Sequence, residues 1–393
     1  MSQTNDKSPL HDLHTLQEAY FLTYGSGEDA YEVVETFGDL DMEYAAIRKG
    51  CVVFDEPHIG TIRVSGPERG EFLNNMLTAK VNELQDGEIA KAFWLNRKGR
   101  IEADLRIAQR DDEMLIALDR SLSKGSVESI SSFLFAEDTE IVDASNEFHR
   151  LSIHGPTSMR LIAEVIDDGS SFDDLTSDHH ATVSIANVSI LIERDDTTGE
   201  IGLHLCVPKD HVVQVYNKLM DASKSNPELK AKATGWLAIN AARIEAGHPM
   251  FQIDFGSTNL PVESGIIESR VSFTKGCYLG QEVVARMHAR NACTKRVVAL
   301  RVEGEQITTE NQDVHQPVGG SQIFEPGKEG ETPIGSVTSS TISPMLGAIP
   351  ICFAMLKNDF TTAGTKLKVS AEGKLADCVV QESLVFWQKA TAN

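Results

Sequence analysis

Residues 90–119 read "AKAFWLNRKGRIEADLRIAQRDDEMLIALD", three runs of β-like alternation separated by "NRKG" and "RDDE". Alternating apolar and polar residues between short polar turns predict a meander of antiparallel strands. The flanking segments are mixed. "ERGEFLNNMLTAKVNEL" before the meander carries Phe72, Met76 and Leu77 at helical spacing, and "SLSKGSVESISSFLF" after it reads as another helix. Helix and strand signals keep alternating through "EFHRLSIHGP", "TSMRLIAEVI", "ATVSIANVSILIER" and "KDHVVQVYNKLMDAS". With no G-x-G-x-x-G or P-loop string, the expectation is α+β layers of antiparallel sheets and helices, not a doubly wound parallel sheet.

Toward the N-terminus, "HDLHTLQEAYFLTY" and "DAYEVVETFGDLDMEYAAIRKG" carry helical spacing, the second closed by Gly50, and "CVVFDEPHIGTIRVSG" alternates around a turn at Pro57 to Gly60. The polar stretches "DDGSSFDDLTSDHH" and "SKSNPELKAK" are expected as surface loops. Past residue 292 the texture changes to short β runs, "KRVVALRVEG", "GSQIFE", "PIGSVTSST", "ICFAMLK", "TKLKVS" and "KLADCVV", which predict a small β-barrel. The polar segment 303–332 is expected to form barrel-edge loops. The chain of 393 residues therefore divides, as an expectation, into 1–292 and 293–393.

Composition removes several classes of function. There are 36 Lys plus Arg against 58 Asp plus Glu, a formal charge of −22 that repels nucleic-acid backbones. The first twenty residues show no basic stretch followed by an apolar run, and no window of about 18 apolar residues occurs later, so a cytoplasmic protein is expected. The six cysteines are scattered without a C-x-x-C pair, which predicts reduced thiols and no bound metal.

Four stretches carry chemistry. In "KGCYLGQE", 275–282, Gly276 and Gly280 permit unusual backbone angles, and "QEVVARMHAR" follows with helical spacing. Cys277 would then sit in a loop feeding a helix N-terminus, where the helix dipole and Lys275 favour thiolate; a small buried hydrophobe is the plainer alternative. Asp104 stands in the meander beside Arg100 and Arg106, either ionised by them or simply exposed in a cross-strand pair. Glu200 in "TTGEIGLHL" lies between Gly199 and Gly202 and would offer a bidentate acceptor to a planar N–H pair, or be a solvated turn residue. Arg243 in "GWLAINAARIEAGHPMF" would clamp a carboxylate, or compensate its helix dipole.

In this order and spacing, "VVFDEPHIGTIRVSGPERGEFLNNMLT", "WLNRKGRIEADL", "TTGEIGLHL", "RIEAGHPMFQIDF" and "GSVTSSTISPMLG" resemble the family of the glycine-cleavage T-protein, an aminomethyltransferase (GcvT), and the YgfZ-type folate-binding proteins of iron–sulfur cluster maintenance. The likeness runs over nearly the whole chain except about the first 45 residues. "KGCYLGQE" and the preceding "NLPVESG" look like the YgfZ-type branch; aminomethyltransferases typically carry an acidic and aromatic pair where Cys277 and Tyr278 stand.

The resemblance implies a tetrahydrofolate-binding region around a central cavity, residues 1–292, and a C-terminal barrel, residues 293–393. It implies that Glu200 holds the pterin edge, that Arg243 approaches the folate tail, and that Tyr278 and Gln281 are further folate contacts. Asp104 falls on the position of the acid near the reacting folate nitrogen. The leading expectation is a folate-binding protein supporting assembly or repair of iron–sulfur enzymes, with client or scaffold proteins as partners. In it Cys277 is the reactive group, and Lys275, Arg286 or His288 stabilise its anion. The alternative is a folate-dependent aminomethyltransferase or demethylase acting through Asp104.

Overall fold

The computed structural model describes residues 7–27, 30–167, 175–290, 293–303 and 315–387. In chain order its elements begin with α1 (His11–Leu16), β1 (Tyr20–Tyr24), β2 (Tyr31–Thr36), α2 (Leu40–Lys49), β3 (Cys51–Asp55), β4 (Ile59–Ser65) and α3 (Arg69–Met76). The meander follows as β5 (Ile89–Leu95), β6 (Ile101–Gln109) and β7 (Glu113–Asp119), then α4 (Ser123–Ser131), β8 (Glu140–Asp143), β9 (Phe148–His154) and α5 (Ser158–Val165). Next come β10 (His180–Ile185), β11 (Val188–Arg194), β12 (Gly202–Pro208), α6 (Val212–Ser225), β13 (Ala231–Thr234), α7 (Trp236–Glu245) and α8 (Gln281–Arg290). The last strands are β14 (Lys295–Glu303), β15 (Gln322–Phe324), β16 (Gly335–Ser343), β17 (Ile349–Lys357), β18 (Lys366–Ala371) and β19 (Lys374–Val380).

By contact the chain forms two compact units. The first comprises 1–94 and 103–239, the second 95–102 and 240–393, so the tip of the β5–β6 hairpin counts with the second. The first holds a five-stranded sheet, β5-β6-β7-β4-β8, a six-stranded sheet, β10-β11-β12-β9-β3-β13, and the β1–β2 hairpin. The α+β reading holds: the larger sheet is antiparallel except where β13 runs parallel to β3. The "EPHI" turn separates two sheets, since β3 and β4 belong to different ones. In the second unit β14-β17-β16-β15-β18-β19 close into the expected six-stranded barrel, filled by Leu300, Ile323, Ala354, Leu356, Val369 and their neighbours.

The N-terminal helical expectation is corrected. Among the described residues of this stretch helix is confined to His11–Leu16 and Leu40–Lys49, and "YFLTY" and "YEVVET" pair as a hairpin. Aromatic and β-branched residues crowd these two runs, and packing on a pleated surface outweighs their helical spacing. Gly50 ends α2 for a different reason from the one expected: its φ of −150° is not left-handed, and a Cβ there would come within 2.6 Å of the Lys230 side chain. Half of the expected loop "DDGSSFDDLTSDHH", residues 168–174, lies outside the described residues, as do residues 304–314 of segment 303–332. The "SKSNPELKAK" stretch contributes the start of β13.

The two faces of the six-stranded sheet differ. Cys51 and Val53 of β3, Leu151 and Ile153 of β9 and Leu203, Leu205 and Val207 of β12 join α5 and α6 in one apolar core. On β9 the alternate residues Arg150, Ser152 and His154 are equally buried and polar. They point the other way, because successive side chains of a strand face opposite sides.

Candidate functional site

That polar face organises the first unit. Arg150 Nη1 donates to Glu193 of β11 at 2.8 Å and its Nε to the Thr61 hydroxyl of β4 at 3.1 Å. From β6, Arg106 Nε donates to the same Glu193 carboxylate at 2.6 Å and approaches Asp195 at 3.6 Å. Lys91 of β5 adds a 2.9 Å bond to Asp195. Burial alone would raise the Glu193 carboxyl, but Arg150 and Arg106 bring it down to about 2. Burial likewise opposes ionisation of Asp195, which Lys91, Arg106 and His204 hold below the usual carboxylate range. Next to this layer Glu56 meets His204 Nδ1 at 3.3 Å, and the rings of His204 and His154 lie 5.4 Å apart, edge to face. Burial first, and His204 second, push the His154 imidazole down to about 3, so it is neutral at physiological pH.

Asp104 lies on the half-buried face of β6, between Glu102 and Arg106 and opposite to the buried Ala103 and Leu105. The expected arginine partners turn elsewhere. Arg106 engages Glu193 and Asp195, and Arg100 donates to the Thr258 carbonyl. Glu200 is no solvated turn residue: only 5% exposed, it closes a turn in which Gly199 has φ +76°, just before β12. Arg48 of α2 donates to the Thr198 carbonyl at 2.7 Å and lies 3.9 Å from the Glu200 carboxylate. Gly202 permits the turn, since a Cβ there would come within 2.2 Å of the Asp195 carbonyl. Asp104 and Glu200 thus share the first unit.

The remaining candidates, Arg243, Lys275, Cys277, Tyr278 and Gln281, belong to the second unit. Arg243 ends α7 as a buried ion pair, its Nη1 donating to Asp254 at 2.8 Å and to the His248 carbonyl at 3.0 Å. Asp254 also accepts from the Met250 amide at 2.8 Å and, on barrel strand β16, from the hydroxyls of Thr338 at 2.8 Å and Ser339 at 2.5 Å. A guanidinium only 3% exposed and bound to a fully buried carboxylate ties helix, loop and barrel together.

In the "KGCYLGQE" turn the structure separates the residues by environment. Tyr278 is buried, which pushes its phenol up to about 12, and the Lys275 ammonium lies 5.4 Å from the centre of its ring. Gly280, at φ +81°, packs on the hairpin tip, where a Cβ would come 3.0 Å from the Asn96 carbonyl; Gly276 has open space around it. Gln281 opens α8, as its spacing predicts. Cys277 is exposed, whereas Cys51, Cys206, Cys293, Cys352 and Cys378 are buried. The plainer reading of Cys277 as a buried hydrophobe is therefore overturned. Burial pushes the Cys51 thiol up to about 11 and the Cys378 thiol up to about 12, which leaves them poor nucleophiles.

Sequence reasoning missed the layer of Arg106, Arg150 and Glu193 with its histidines. Its trace was the polar alternation inside "FHRLSIH", where one face of a strand is charged although neither face meets water. Among the described residues no group of His, Cys, Asp and Glu is arranged to hold a metal ion, and no helix is long and apolar enough to cross a membrane.

Residues 10–275 match the GCVT N-terminal domain family, and residues 295–386 match the glycine cleavage T-protein C-terminal barrel domain. Similar curated proteins include the aminomethyltransferase of Caldanaerobacter subterraneus subsp. tengcongensis, 23% identical with 95% of this chain and 94% of that protein covered. The aminomethyltransferase of Corynebacterium jeikeium is 26% identical, with 93% and 92% covered. The mitochondrial aminomethyltransferase of Dictyostelium discoideum is 25% identical, with 94% and 89% covered. Among solved structures, the glycine cleavage system aminomethyltransferase T of Bartonella henselae superposes with a TM-score of 0.82 at 19% identity, covering 98% of this chain and 99% of that one, which shows a shared fold. Both parts of the fold and nearly the full length agree: the chain belongs to the glycine-cleavage T-protein family.

Proposed function

We propose that the protein binds tetrahydrofolate and transfers a one-carbon unit to it as an aminomethyltransferase or a related demethylase. The observation that carries this reading is the environment of Glu200, a buried carboxylate in a glycine-shaped turn, on the same compact unit as the half-buried Asp104. A carboxylate offers two acceptor oxygens, and the planar N–H edge of a pterin supplies two donors in parallel. In this reading Glu200 orients the ring. Asp104 lies beside the reacting folate nitrogen, takes up the proton that nitrogen loses on bonding to the incoming carbon, and stabilises the iminium charge that develops there. The near full-length similarity to proteins named aminomethyltransferase supports the transferase over the iron–sulfur role.

Residues 1–292 supply the folate region and 293–393 the barrel. Arg243 shapes the end of α7.

The second reading, a YgfZ-type protein serving iron–sulfur enzymes through Cys277 and Lys275, is favoured by one observation. Cys277 is the one exposed cysteine of the six.

The deciding experiment incubates the protein with tetrahydrofolate and an aminomethyl or N-methyl donor and follows methylene- or methyl-folate. Product from the wild type, lost by at least about a hundredfold in Asp104→Asn and kept in Cys277→Ala, supports the transferase. Folate binding without product from any donor, with iron–sulfur enzyme activity falling in cells carrying Cys277→Ala, supports the second reading.

A further inference from the structure

Within the first unit the contact between the two sheets changes character along the strands. Alternate residues of a strand share a face, so Ala108, Arg106 and Asp104 lie in one row on β6, and Leu191, Glu193 and Asp195 in one row on β11 and the residue after it. The two rows run in step. Ala108 and Leu191 meet in an apolar cluster with Ile89, Leu115 and Cys206. One step on, Arg106 Nε donates to Glu193 at 2.6 Å and Nη1 lies 3.6 Å from Asp195. A further step, roughly 7 Å along a strand, brings Asp104 to the level of the β11–β12 connection, which begins at Asp195 and carries Glu200.

A buried ion pair adds little net stability once desolvation is counted, and apolar side chains would join the sheets as firmly. What a guanidinium adds is direction, because its planar fork fixes the carboxylates it meets. Here one carboxylate, Glu193, belongs to β11 itself, and the other, Asp195, closes the base of the Glu200 loop: its amide donates to the Gly202 carbonyl at 3.0 Å. Lys91 of β5 holds Asp195 as well, at 2.9 Å, and reaches Asp178 at 2.8 Å. The change from apolar to charged contact thus falls at the step next to Asp104 and the Glu200 loop. The fold does not rest on Arg106 alone, since Glu193 also accepts from Arg150 at 2.8 Å.

We propose that Arg106 is a positioning residue for the transfer: clamped between Glu193 and Asp195, it sets the separation between Asp104 on β6 and the loop that carries Glu200. A ring held by Glu200 then presents its reacting nitrogen to Asp104. The inference rests on the folate reading and adds to it a residue that touches neither the ring nor the donor. A shift of about 1 Å between ring holder and acid leaves binding nearly intact and slows the reaction about a hundredfold.

The test uses the full chain, with the Kd for tetrahydrofolate and the transfer rate at saturation measured separately, on whichever aminomethyl or N-methyl donor gives product with the wild type. Arg106→Met should slow transfer about 30- to 100-fold while the Kd stays within about threefold. Arg106→Lys keeps the charge but not the fork, and should run at least about threefold faster than Arg106→Met. Asp195→Asn should slow transfer as well, and the double variant should be no slower than the worse single one, within about threefold, because the two act as a unit. Leu356→Ala, which destabilises the chain in the barrel, should leave the rate within about twofold and so separates lost position from lost stability. Should Arg106→Met fail to fold, Arg106→Lys and Asp195→Asn carry the test. A rate unchanged in the Arg106 and Asp195 variants, or a Kd weakened tenfold at an unchanged rate, would overturn the proposal and leave the folate reading standing. No product from the wild type with any donor would remove the transfer reading and this proposal with it.

Discussion

The barrel of the second unit and the inter-sheet layer of the first are both sealed from water, yet they are built from opposite chemistry. Inside the barrel, Leu300, Ile323, Leu356 and Val369 gain stability by leaving water, at roughly 25 cal/mol per Å² of apolar surface. Between the two sheets, Arg150 and Glu193 are each fully buried charges that are tolerable only as partners. The barrel is a core that substitutions weaken in proportion to volume and that pH hardly touches. The inter-sheet layer has no such gradation: each member is needed once its partner is charged.

The sharpest way to break the comparison is Arg150→Met. It leaves Glu193 buried with Arg106 alone, and unfolding by denaturant should show a loss of about 3–5 kcal/mol. The double replacement with Glu193→Leu should recover much of that loss, an outcome the barrel cannot imitate. Leu356→Ala in the barrel should cost about 3 kcal/mol with the same value at every pH between 5 and 8.

Acid separates the regions further. His154 and Glu193 both have folded-state pKa values below their ordinary ones, so the unfolded chain binds more protons and stability is lost as the pH is lowered. The His154 contribution is lost from about 6.5 downward toward 3, and the Glu193 contribution from about 4.5 toward 2. Between pH 6.5 and 5 the unfolding free energy should drop by about 1–2 kcal/mol, and His154→Phe should flatten that slope. The smallest effect is predicted at Cys277→Ala, within about 0.5 kcal/mol of wild type by thermal melting, because the side chain is exposed.

What was legible in the sequence follows from the same contrast. The barrel and meander announced themselves because alternation and turn residues are local signals, and α8 because its apolar spacing agrees with its packing. The N-terminal hairpin was misread where helical spacing and β-branched composition disagreed in "YEVVET". The burial of Glu200 and the commitment of Arg106 and Arg243 to internal carboxylates were not legible, since each depends on partners far away in the chain: Arg48, Glu193 and, in the loop after α7, Asp254 with Ser339. A charged residue read alone looks like a ligand contact; its partner decides whether it is one.

The central claim is that Glu200 is the anchor for a pterin ring, and equilibrium titration of the full chain with tetrahydrofolate tests it most directly. The account predicts measurable binding by the wild type, weakened at least about tenfold in Glu200→Gln and nearly unchanged in Asp104→Asn, because one residue holds the ring and the other acts on it. Wild-type binding that Glu200→Gln leaves intact, or no binding at all, would contradict it.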